Sequence, residues 1–315
     1  MTQPASFQTA ARMPPVAGPC RGEAAPDRAA PSVETVHESF CQFGNGGQLI
    51  GTITHGAGPG ERKPDVGVLL FNAGTIARMG PHRFNVKLAR RLARLGHSSL
   101  RFDLSGQGDS GAAPGTLGYH EQTGQDIRDA TDRLAQAAGV RRFVIVGICS
   151  AAQAGWHAAL RDPRIVGLVM IDGHAYPTRW TPLVHRWRRR RERSFGEQLE
   201  RIGRKLRGRL FGDSSFVEPI GRLGGDDVPV AVTTRDEYAR GMQALADRGT
   251  RSMLVFTSSW SPFYSYPGQF AAVFGRHPFC RSVRCVFAPQ FDHTLTLLES
   301  QDTMMEWIEE WIARC

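Results

Sequence analysis

The stretch "RRFVIVGICSAAQAG", residues 141–155, decides the fold. It begins as an apolar run of strand length, passes through a turn of small residues, and continues as an alanine-rich helix. A strand that turns this sharply into a helix strains the residue at the turn and lifts its side chain above the sheet. The two backbones pass close together there, so only small neighbours fit, and Gly147, Ala151 and Ala152 supply them. The lifted residue is Cys149, in a small–x–nucleophile–x–small pattern that usually carries serine. The helix that follows points its N-terminus at this thiol, and its dipole and free N–H groups favour a thiolate. The N–H of Ser150 would face an oxyanion formed at a carbonyl attacked by Cys149. Two other readings exist. Free cysteines often serve as small buried hydrophobes. Ser150 as the nucleophile would put Ile148 where a small residue is required, which fits badly.

Outward from this turn, the chain alternates strands and helices. "VGVLLF" (66–71) is a continuous apolar run, as in a strand buried on both faces. "HRFNVKLARRLARLG" (82–96) has helical spacing and stops at Gly96, "HSSLRFDL" reads as a strand, and "EQTGQDIRDATDRLAQAAG" as a helix. After the nucleophile turn come the strand "IVGLVMID", the helix "TTRDEYARGMQALADRG" (233–249), the strands "SMLVFTS" and "SVRCVFAP", and a closing amphipathic helix "LESQDTMMEWIEEWIARC". Before all of these, "ETVHESFCQF" and "GQLIGTITH" flank "GNGG", a hairpin signal. The expectation is a mostly parallel α/β sheet with an antiparallel start and helices on both faces. Ligands bind at the C-terminal edge of such a sheet. Residues 1–32, rich in Pro and Ala, read as a disordered leader. Residues 33–174 and 231–315 read as two parts of one core. Residues 175–230 break the alternation and read as an Arg-rich helical cap over that edge.

The 315 residues, 41% hydrophobic and 22% charged, suffice for one large domain. No apolar run approaches the ~18 residues that span a bilayer. The N-terminus lacks a basic start followed by an apolar block, so a cytoplasmic protein is expected. The six cysteines are scattered without a CxxC pair and read as reduced thiols, not as a disulfide framework or metal site. No cofactor is implied.

A thiol nucleophile needs a base. "PQFDHTLT" places His293 between the last strand and the last helix, the only one of ten histidines so placed. "VGVLLF" runs into "NAGTIARMGPHR", where Gly74 or Thr75 would give a second oxyanion N–H; the sequence does not choose between them. His82 and Arg83 follow at a helix start, as contacts for a substrate carboxylate or phosphate or as cap and surface residues. The orienting acid is harder to place. The segment after the penultimate strand, "LVFTSSWSPFYSY", holds no carboxylate. Asp172, at the tip of "LVMID", overlooks the same edge and keeps the order nucleophile–acid–base, so it is the candidate. Asp292 is next to His293, and a sequence neighbour seldom folds back to the ring. Asp103, Asp109 and Ser110 in "RFDLSGQGDSG" read as structural.

These residues resemble an α/β-hydrolase, with a mostly parallel sheet and an inserted cap. More narrowly, they are similar to the bacterial alpha/beta hydrolases associated with exosortase systems. The similarity spans roughly residues 45–315 and rests on "NAGTIARMGPHRFNVKLARRLARLGHSSLRFDLSGQGDSG", "GICSAA", "YPTRWTPLVHRWRRR" and "ALADRGTRSMLVF". It implies hydrolase or acyl-transfer chemistry, with the base where His293 stands. The chain departs from the family pattern at Ser261, where an acidic residue is expected, and that moves weight to Asp172.

The net charge of +9 resides in one segment, since residues 179–209 hold 12 Lys/Arg against 3 Asp/Glu. "HRWRRRRER" (185–193) reads as a solvated helix face, as a dock for an acidic acyl-carrier protein or pantetheine phosphates, or as a contact for anionic lipid. Nucleic acid ranks last, because no nucleic-acid motif accompanies the charge. The expected activity is thioesterase or acyltransferase chemistry on an activated acyl group, a thioester above all, through a Cys149 acyl-enzyme. The rival class is a non-catalytic protein that binds a ligand or partner through the same pocket.

Overall fold

The structure, a computed structural model, describes residues 36–56, 64–191 and 233–315. The leader expected over 1–32 and residues 192–230 of the expected cap lie outside these. Eight strands are described: β1 (Glu38–Phe43), β2 (Leu49–Thr54), β3 (Val66–Phe71), β4 (Ser99–Phe102), β5 (Arg142–Ile148), β6 (Ile165–Ile171), β7 (Arg251–Thr257) and β8 (Val283–Ala288). They form one sheet in the order β1-β2-β4-β3-β5-β6-β7-β8. β1 pairs antiparallel with β2, and β2 antiparallel with β4; every other pairing is parallel. The central parallel strands therefore end at one edge.

Helices α1 (Phe84–Arg94) and α7 (Leu298–Ile312) cover one face of the sheet, and α2 (Tyr119–Ala138), α3 (Ser150–Arg161) and α5 (Arg235–Asp247) the other. Strand β5 shows why. Its Phe143 and Ile145 join the core with Leu134, Trp156 and Met242. Its Val144, Val146 and Ile148 join the opposite core with Leu88 and Ile308. A strand buried on both faces has no polar alternation, and each such side chain contributes about 1.5–3 kcal/mol. The remaining described helices are α4 (Thr181–Arg191) and the short α6 (Gln269–Phe274). No helix among the described residues is long and apolar enough to cross a membrane.

Helix α1 starts later than its sequence pattern suggests. Pro81–Arg83 form a separate turn, and His82 (φ 48°) and Arg83 (φ 62°) both have left-handed backbone, so regular α-helix begins at Phe84. The other helices lie close to their patterns. Thr234 caps α5 through a reciprocal capping box with Glu237.

Candidate active site

The turn between β5 and α3 has the geometry that its small residues require. Cys149 sits at the helix N-cap with φ 56° and ψ −119°, a strained combination for a residue with a side chain. Gly147 permits it: a Cβ there would lie 2.6 Å from the backbone of Ala151 and Ala152. The Cys149 N–H donates to Ile171 O at 2.8 Å, tying the turn to β6. The thiol is partly exposed at the C-terminal edge of the sheet. Ala152 and Gln153 N–H turn back to Cys149 O, while Ser150 opens the helix, where N–H groups have no intrahelical acceptor.

His293 lies after β8, and the Cys149 side chain is close enough to its ring to help stabilise the imidazolium. Its Nδ1 meets Asp172 Oδ2 at 2.8 Å, which leaves Nε2 for the sulfur. The imidazolium is stabilised up to about 10, first by the Asp172 hydrogen bond and then by Cys149, against the opposing effect of burial. The His293 ring also runs parallel to Trp260, with centroids 5.5 Å apart and planes 8° apart, an arrangement that suits a cation beside an indole. The His293 N–H donates to Ser259 Oγ at 3.0 Å, fixing the loop that presents the ring.

Asp172 is fully buried at the tip of β6, with φ 49°. Aspartate tolerates this left-handed geometry better than most residues. Its Oδ1 accepts from Thr257 N–H at 2.7 Å, and its Oδ2 from Thr257 Oγ1 at 2.6 Å. The tip of β7 thus carries no acid. It carries the threonine that aims an acid arriving from the neighbouring strand. Ser261 stands aside, accepting at its carbonyl from Ser265 Oγ. The Asp292 carboxylate accepts from the N–H and hydroxyl groups of Thr294 and Thr296 and has no bond to the ring.

The loop after β3 approaches Cys149 from the other side. Ala73 and Ile76 pair across a turn with Gly74 (φ 56°) and Thr75 at its centre. Gly74 N–H donates to Ser150 Oγ at 2.8 Å, so this backbone donor is already held by the hydroxyl next to the thiol. Asp103, fully buried, anchors the loop: it accepts from Asn72 Nδ2 at 2.9 Å and from Arg78 N–H at 2.6 Å, and Arg78 also pairs with Asp109. Ser110 Oγ donates to Asp103 O. These three residues serve as struts. His82 and Arg83 are exposed at the start of α1, and their side chains make no hydrogen bond or ion pair among the described residues.

The structure thus brings Cys149, His293 and Asp172 together, with Ser150 and Gly74 beside them. Sequence reading did not find Thr257, Ser259 or Trp260. The only available signal was the polar tip "FTSSW" on an otherwise apolar strand.

This architecture is the α/β-hydrolase fold. The family model described as "alpha/beta hydrolase fold" matches residues 68–220. Among solved structures, the proline iminopeptidase of Mycobacterium smegmatis is similar at TM-score 0.56 and 14% identity, covering 88% of this chain and 98% of that one. A Coxiella burnetii structure described as an alpha-beta serine hydrolase homologue matches at 0.50 and 15% identity, covering 88% and 98%. An Agrobacterium tumefaciens protein of unknown function, named as a candidate alpha/beta hydrolase, matches at 0.51 and 14%, covering 88% and 95%. At these identities the likeness is one of fold. No curated protein sequence matches the chain.

Proposed function

We propose that this hydrolase-fold chain is a cysteine-nucleophile acyl hydrolase or acyltransferase that acts on activated acyl groups, thioesters first. The observation that carries the reading is Cys149 beside a His293 ring whose Nδ1 is held by buried Asp172. In the proposed reaction the thiol proton rests on His293 Nε2, in keeping with the stabilised imidazolium, as Sγ bonds to the acyl carbon. The carbonyl oxygen becomes an oxyanion facing Ser150 N–H, with Thr75 or Gly74 N–H as second donor; use of Gly74 would displace Ser150 Oγ. Collapse expels the substrate thiolate, which takes the proton back from the imidazolium. The Cys149 thioester then passes its acyl group to water or another nucleophile deprotonated by His293.

A thiolate leaves about as easily as it enters, which favours thioester donors over amides. The binding-protein alternative drew on the lack of an acid after β7, and the Asp172–His293 bond removes that support. The test is turnover of a panel of acyl thioesters and oxoesters. Cys149→Ala should abolish it, and Cys149→Ser should slow it at least about a hundredfold. Turnover by Cys149→Ala at the wild-type rate would overturn the proposal.

A further inference from the structure

The edge of the sheet that carries Cys149 also carries an unusual share of exposed apolar surface. Met79 lies in the loop after β3, Phe263 follows β7, and Leu298 follows β8; all three are about half exposed or more. The largest contribution comes from α4 and the residue before it. Trp180, Leu183 and Trp187 are 52%, 53% and 56% exposed, and their spacing puts them on one helix face. The inward face is anchored. Thr181 is fully buried and its carbonyl accepts from Ser265 Oγ, Thr178 Oγ1 bonds Tyr266 OH, and the Arg188 guanidinium lies 4.6 Å from the Phe287 ring centroid. The tryptophan face is therefore held outward by contacts on its opposite side.

Between Gly173 and Arg191 the chain has six arginines and no acidic residue. Arg179, Arg186 and Arg189 are exposed beside the apolar stripe. Of the acidic groups on the same edge among the described residues, Asp109 is paired with Arg78, Asp236 with Arg235, Glu237 serves the Thr234 cap and Asp292 is occupied by its threonines; Glu121 and Glu299 are exposed in the first turns of α2 and α7.

We propose that this edge docks on an anionic lipid bilayer, with α4 lying in the headgroup plane. Indoles favour the boundary between headgroups and acyl chains. Arginines flanking a Trp/Leu stripe keep their guanidinium groups at the phosphates while their stems lie along apolar surface. An acidic carrier protein would satisfy the arginines and leave Trp180 and Leu183 in water. A second copy of this chain would set like charges against each other. The lipid surface satisfies both chemistries, and it puts the mouth of the candidate site against the membrane.

The test is co-sedimentation of the full chain with phosphatidylcholine vesicles, with and without about a third phosphatidylglycerol. Binding should appear on the anionic vesicles and weaken as salt shortens the Debye length from about 10 Å to about 3 Å. Trp180→Ser with Leu183→Ser should weaken it about tenfold or more. Reversal of Arg179, Arg186 and Arg189 to Glu should do the same, at about fivefold or more per residue. Both variants should keep wild-type circular dichroism and wild-type labelling of Cys149 by iodoacetamide. Cys149→Ala should bind vesicles like the wild type, which separates docking from the chemistry at the thiol. No sedimentation with anionic vesicles, equal sedimentation of the apolar double variant, or displacement from vesicles by a purified acidic acyl-carrier protein would overturn the proposal.

Discussion

Replacing Asp172 by Asn keeps the shape of the site and removes its charge. The consequence follows from the hydrogen bonds. Asp172 Oδ1 accepts from the Thr257 backbone N–H at 2.7 Å, a donor that cannot rotate away. The amide oxygen of the substituted side chain must therefore occupy that position, and its NH2 group takes the place of Oδ2. There it faces Thr257 Oγ1, which can turn to accept, and His293 Nδ1, which can accept only when it carries no proton. The ring is forced into the tautomer with hydrogen on Nε2, unable to take the proton of Cys149. A hydrogen bond to an ionised group contributes about 1.5–3 kcal/mol, so the imidazolium loses roughly ten- to a hundredfold in stability. Its pKa should fall from about 10 towards the ordinary histidine value. The assay needs no substrate: the rate of alkylation of Cys149 by iodoacetamide at pH 7, read by intact-protein mass spectrometry. Asp172→Asn should react roughly ten- to a hundredfold more slowly than the wild type. Asp292→Asn should react at the wild-type rate, because that carboxylate serves Thr294 and Thr296. A folded Asp172→Asn protein alkylated at the wild-type rate would refute the reasoning, and so would an equal loss in Asp292→Asn.

Other consequences are as direct. Thr257→Val removes the hydroxyl bond to a buried carboxylate and should cost about 1.5–3 kcal/mol of stability in urea unfolding, with slower alkylation of Cys149. Gly147→Ala forces a Cβ to 2.6 Å from the α3 backbone and should destabilise the fold by about 3 kcal/mol or more, seen as a fall in thermal midpoint. For His293, whose pKa is raised in the folded state, the associated stability is fully present below about 6.5 and is lost as pH rises through about 10. In a Cys149→Ala background denaturant unfolding should show the stability advantage of His293 over His293→Gln shrinking as pH rises from about 6.5, with the loss complete below about 10, because the Cys149 share of the shift is gone. A gap that widened with pH would reverse the assigned sign.

The residues themselves explain which features were legible in the sequence. The β5–α3 turn was readable because close backbone approach restricts residue type: Gly147 and the two alanines leave few alternatives. The parallel core was readable because β3 and β5, buried on both faces, lack polar alternation. Asp172 could be singled out because it ends a strand beside the turn. Its partner Thr257 could not, because that bond spans 85 positions and exists only where β6 and β7 pair. The same holds for Ser150 Oγ on Gly74 N–H, a contact across 76 positions that turns an expected free donor into an occupied one. Beyond its place in the polar tip "FTSSW", Trp260 gave no hint that it lies parallel to a histidine ring. The start of α1 was set too early because helical periodicity does not register the left-handed backbone at His82 and Arg83.

The most direct measurement of the central claim is the location of the acyl group during reaction. The wild-type chain should be mixed with an acyl thioester, quenched in acid, and read by intact-mass and peptide-mapping mass spectrometry. The account predicts one acyl increment on the peptide that contains Cys149, and none on Cys149→Ala. An increment on a different residue, or consumption of the thioester by Cys149→Ala at the wild-type rate, would contradict it.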